Sequence, residues 1–139
     1  MNLEELGEQA KKENILSILI QMSTVDGDIS NNEMAYILQL GFSLGLDEES
    51  IRSVSKERDV HPFIPTAEQD RMTILYYLIF LIRVDGQITK EEKEMMHHFG
   101  LKLGFSPLMV ENIVRVAEAN LGRKLPADAI LNEIKKHLN

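Results

Sequence analysis

The residues best placed to do chemistry in this 139-residue chain are acidic, and they come in two matching sets. Asp26-Gly27-Asp28-Ile29-Ser30 leads to Glu33, and Asp85-Gly86-Gln87-Ile88-Thr89 leads to Glu92. Asp26, Asp28 and Glu33 put three carboxylates on one turn. Asp85 and Glu92 repeat two of them, with Gln87 in place of the third. Such groups are hard oxygen ligands suited to calcium or magnesium. Aligned with an EF-hand loop, each copy fits the second half: acidic at the fifth position, glycine at the sixth, isoleucine at the eighth, glutamate at the twelfth. The first half fails, because its ligand positions hold Met22 and Thr24 in one copy, Leu81 and Arg83 in the other. Calcium takes about six to eight oxygens, so neither loop alone is an EF-hand site.

Two readings of the acidic turns stand side by side. In the first, the turns lie close together and pool their carboxylates around one divalent ion. Asp26 and Asp85 each close a helix C-terminus, where the macrodipole disfavours negative charge by up to ~1 kcal/mol, and a bound cation would offset that. In the second, the residues serve the backbone alone. Aspartate before glycine folds back on the following amides as an Asx turn, and the glutamates complete helix caps.

Other chemistry is thinly represented. There is no cysteine, which removes disulfides, thiolate metal sites and thiol nucleophiles. His97 and His98 are adjacent on one helix, point about 100° apart and cannot share a metal; His61 falls in a linker and His137 near the chain end. No serine has a nucleophile-elbow context and no glycine-rich loop could cradle phosphate. A net charge of −7 without any basic stripe argues against nucleic-acid binding. The longest apolar run, Ile74 to Ile82, is about half of what spans a bilayer and reads as a buried helix. With an acidic start and no secretory signal, the chain reads as a cytoplasmic, non-enzymatic protein.

The elements that position the turns follow from an internal repeat. Shifting the sequence by 59 residues aligns Ile15–Val54 with Ile74–Ile113 without a gap, and twelve of the forty pairs are identical. Among them are Asp26/Asp85, Gly27/Gly86, Glu33/Glu92, Gly41/Gly100 and Gly45/Gly104. In each copy an apolar helix runs into Val-Asp-Gly, over about 13–25 and about 67–84. A second helix starts at Ser30 or Thr89, each with glutamate three residues on, the capping-box pattern. It ends at Gly45 or Gly104. A third helix follows, capped by Asp47 in one copy and by Ser106-Pro107 in the other. Thr66, with Gln69 three residues on, is the expected cap of the helix that opens copy two.

These features predict an all-α single domain of about seven helices built from two pseudo-symmetric repeats, over about 13–57 and about 66–121. Pro62 and Pro65 mark a linker at about 58–65, and an amphipathic helix is expected over about 126–138. Ile15, Leu16, Leu19 and Ile20, with Ile74, Leu75, Leu78, Ile79 and Ile82, are the expected centre of the core.

The segments Val84–Lys93 and Leu101–Pro107, together with the turn Val25–Glu33, resemble the tellurite-resistance (TerB-like) family over roughly residues 13–121. That resemblance implies an all-helical fold of two pseudo-symmetric halves and an association with stress responses. It also implies metal binding by acidic turn residues, here Asp26, Glu33, Asp85 and Glu92. Gln87 where the first copy has Asp28, and Ser106 where an acidic residue is common in the family, lower the ligand count of copy two. The expected protein is a binding or scaffold protein with a divalent metal site, or else a metal-independent interaction module. Its partner in either case is another protein, a second copy of the chain included.

Overall fold

The computed structural model describes residues 7–24, 27–56 and 63–125, and positions 128, 130, 132, 133 and 136 beyond them. Those residues form six helices and no strand: α1 (Glu8–Ser23), α2 (Asn31–Ser43), α3 (Glu48–Lys56), α4 (Glu68–Arg83), α5 (Lys90–Lys102) and α6 (Pro107–Ala119). The all-α expectation holds. The helix expected at about 126–138 lies largely outside the described residues. The five described positions in that stretch are helical, and Ile130 among them is fully buried.

α1 and α4 form the centre. In α4, Ile74, Leu75, Leu78, Ile79, Leu81 and Ile82 are all buried; in α1, Leu16, Ile18, Leu19, Ile20 and Met22 are. A helix apolar around most of its circumference must be covered by neighbours on several sides. α1 packs against α2, α3, α4 and α5, and α4 against α1, α2, α5 and α6. The outer helices are one-faced by comparison: α2 buries Ile37, Leu40 and Gly41, and α5 buries Met96, Phe99 and Gly100.

Three expectations need correction. Ile15 is only half-buried, because it lines a surface cleft instead of the core centre. α1 begins at Glu8, a full turn before about residue 13; Glu8-Gln9-Ala10-Lys11-Lys12 are strong helix formers, with Glu8 and Lys11 paired at 3.6 Å. Thr66 is not the cap of α4. The cap position is Ala67, which makes no side-chain bond. Arg71 instead donates to the carbonyls of Pro65 and Thr66, at 3.3 and 2.7 Å, and ties the incoming strand of chain to the helix. That segment is held from the other side by Asn14, whose amide both donates to and accepts from the Phe63 backbone at 2.7 Å.

The junction between second and third helices is built twice in the same way. Leu44 N donates to Leu40 O and Leu103 N to Phe99 O, at 2.9 and 2.8 Å; Leu46 N reaches Gly41 O and Phe105 N reaches Gly100 O, at 3.0 and 2.9 Å. Gly45 and Gly104 carry φ of 87° and 86°, a left-handed conformation that L side chains disfavour. Gly41 and Gly100 are needed for a different reason. A Cβ on Gly41 would lie 2.7 Å from Ile51 Cδ1, and one on Gly100 would lie 2.4 Å from Val110 Cγ2. The third helix of each copy presses an aliphatic side chain into the notch that the glycine leaves. Asp47 caps α3 as expected, accepting from Ser50 N at 2.8 Å, and that bond holds its carboxyl below the usual carboxylate range. Ser106 caps α6 ahead of Pro107.

Candidate site at the paired acidic turns

Each acidic turn sits between two helices of one copy. Gly27 and Gly86 both have positive φ, 115° and 79°, and each donates back across the turn, to Thr24 O at 3.0 Å and Arg83 O at 3.1 Å. A Cβ would meet nothing within 4 Å at either glycine, so conformation and not space selects the residue. The chain then extends through Ile29 or Ile88 and enters α2 or α5 through a complete capping box. Ser30 Oγ accepts from Glu33 N at 3.1 Å while Glu33 Oε1 accepts from Ser30 N at 3.0 Å. Thr89 and Glu92 repeat this at 3.1 and 2.9 Å.

The glutamates are the most deeply placed of the described candidate ligands. Glu33 is 6% and Glu92 5% exposed, each with one carboxylate oxygen committed to a backbone N–H. Asp28, Asp85 and Gln87 are exposed. Asp26 lies outside the described residues.

Among the described residues, a hydrogen bond joins the two turns. Ser30 Oγ donates to Asp85 Oδ1 at 3.1 Å, across 55 residues of sequence. The serine that starts α2 is therefore bonded to the aspartate that follows α4. Its hydroxyl is used twice, accepting from Glu33 N and donating to the other copy's turn. Of the candidate ligands, this contact brings Asp85 to the N-cap of the first copy, next to the turn that carries Asp28. Among the described residues, no three histidine, aspartate or glutamate side chains converge as a group able to hold a metal ion.

Several residues with structural consequence carried no distinct signal in the sequence. Arg83 donates to Asn120 O at 2.8 Å and to Arg123 O at 2.7 Å, closing the end of α6 against the end of α4. The three tyrosines of the chain gather between α2 and α4, where Tyr36 Oη donates to Tyr77 O at 3.3 Å. Burial, with Tyr77 and Tyr76 alongside, pushes the Tyr36 phenol well above its usual value. His97 is partly buried, and His98 is exposed with its ring edge on Phe99. His61 and His137 lie outside the described residues. No helix among the described residues is long and apolar enough to cross a membrane.

Comparison with family models, with curated proteins and with solved structures found no match to the chain. The TerB-like resemblance gains nothing from these comparisons and rests on its motifs alone.

Proposed function

We propose that this chain is a non-enzymatic binding or scaffold protein of the TerB-like kind, whose acidic turns fasten its two halves to each other. One observation carries the reading: the Ser30–Asp85 bond, which ties the start of one half's second helix to the turn of the other. Matched caps, glycine conformations and junction bonds at a spacing of 59 residues support two pseudo-symmetric halves. The bond also gives Asp85 a task at a helix end where the macrodipole opposes its charge. A cytoplasmic location, a role in stress and a protein partner belong to the same proposal, on the strength of the resemblance.

A second reading is favoured by the same contact. Asp85 stands beside the turn of Asp28, so carboxylates from both halves share one solvent-facing patch that a calcium or magnesium ion could neutralise. Melting curves and calorimetric titration with both ions separate the two. Under the fastening reading the ions leave the melting point unchanged, and Asp85→Ala costs about 0.5–1.5 kcal/mol for the lost bond. An ion-binding patch instead gives about 2.7 kcal/mol of stabilisation at a hundredfold excess over the dissociation constant, lost in the Asp26→Asn, Asp85→Asn double variant. If Asp85→Ala is as stable as the parent, the fastening role is wrong.

A further inference from the structure

A second site lies away from the turns, where the first helices of the two halves meet. A cleft of roughly 190 Å³ opens between α1, the end of α2 and the start of α4. Its apolar walls are Ile15, Leu44, Pro65 and Ile74, the last two buried behind the first two, and Thr73 lines it as well, with its hydroxyl donating to Gln69 O at 2.9 Å. Ile15 and Leu44 are left half-buried there, although both belong to the apolar set that packs on the core. A dry cavity of about 150 Å³ accommodates a benzene-sized molecule, so this one has room for a branched aliphatic or phenyl group.

The rim is charged with both signs. Lys11 and Lys12 come from α1, Asp70 from the first turn of α4, and Glu8 from the start of α1. Glu8 and Lys11 pair with each other at 3.6 Å. Lys12 and the Asp70 carboxylate make no ion pair or side-chain hydrogen bond with any other described residue. Among the described residues, one cation and one anion without a charged partner thus stand on different helices around a largely apolar floor. A carboxylate ligand would meet Asp70, and an amine would meet Lys12; each would leave one rim charge opposed. A ligand bearing both charges beside an apolar group meets Lys12, Asp70 and the apolar walls together.

We propose that this cleft binds a free apolar α-amino acid, with its carboxylate on Lys12, its ammonium on Asp70 and its side chain against Ile15, Leu44, Pro65 and Ile74. The site is independent of the acidic turns and of any metal.

Calorimetric titration of the full chain with L-leucine and L-phenylalanine tests this, with glycine, 4-methylpentanoate and 3-methylbutylamine as controls. Leucine or phenylalanine binds. Glycine lacks the apolar group and each of the other controls lacks one charge, so every control binds at least about tenfold more weakly. Lys12→Met keeps the aliphatic stem and Asp70→Asn keeps the shape; each weakens leucine by a similar factor while the circular-dichroism melt stays close to the parent. The proposal is overturned if neither amino acid binds at roughly 10 mM. It also fails if 4-methylpentanoate or 3-methylbutylamine matches leucine, or if Lys12→Met and Asp70→Asn both bind leucine as the parent does.

Discussion

The two copies of the sequence repeat agree where the backbone must do something unusual and part company where only surface is involved. The left-handed glycines, the capping boxes and the glycine notches under the third helix occur in both. Beyond the notch the halves differ. In α6 Glu118 reaches Lys93 at 2.6 Å, while Asp59, the residue equivalent to Glu118, lies outside the described residues. The position equivalent to Lys93 is Met34, which lines an open groove with Leu38 and Ile51. What is retained between the copies is therefore geometry that few residue types satisfy. Surface that many residue types satisfy has diverged.

The largest effects should come from the centre, where the comparison is closest. Leu19 and Leu78 occupy equivalent positions and are both fully buried. Leu19→Ala and Leu78→Ala should each cost about 2–5 kcal/mol in urea unfolding, since each leaves a cavity among side chains that relax only partly. A loss below ~0.5 kcal/mol for either would break the equivalence of α1 and α4.

Smaller and more discriminating are the two notches. Alanine at either glycine gains up to ~1 kcal/mol of helix propensity and loses about 1–3 kcal/mol to overpacking. In the first half the new methyl meets Ile51 Cδ1 at 2.7 Å and Cγ1 at 2.9 Å, both longer than the 2.4 Å contact in the second half, with Leu16 3.2 Å off on the other side. In the second it meets Val110 Cγ2, held next to the backbone on a stiff β-branched stem. Gly100→Ala should therefore lower the unfolding free energy by about 1–2 kcal/mol. Gly41→Ala should fall within about 1 kcal/mol of the parent. The reverse order would mean that α6 yields more easily than α3.

These contrasts mark how far the sequence could be read. Helix class, both capping boxes, the Asp47 and Ser106 caps and most of the central leucines and isoleucines were legible, because capping and core packing write short-range patterns of residue type. Gly41 and Gly100 were visible as a matched pair, but their purpose depends on Ile51 and Val110, ten residues away and on another helix. Ser30–Asp85 belongs to the same category: the sequence predicted two similar turns and left their separation open. Thr66 misled because a hydroxyl with glutamine three residues on matches a capping box by pattern, while Arg71 and the buried Pro65 settle how the chain enters α4. The apolar cleft was hidden for a related reason. Ile15 matches Ile74 in type and register, yet it is half-covered while Ile74, which lines the same cleft, is 1% exposed.

The smallest expected effect tests whether the divergent surface matters to the fold. Lys93 and Glu118 join α5 to α6, but their side chains are 40% and 42% exposed. A pair this open gains little over its hydration and loses rotamer freedom in forming, so it should contribute about 0–1 kcal/mol and weaken with salt. Lys93→Met places the first half's residue at the second half's position. Stability should change by less than about 0.5 kcal/mol, and the parent's small salt dependence should shrink, in urea unfolding run at low and at high ionic strength. A loss above ~1.5 kcal/mol that persists in high salt would place the effect outside surface electrostatics. The aliphatic stem of Lys93 would then be packing α6 against α5, and that contact would be part of the structural frame.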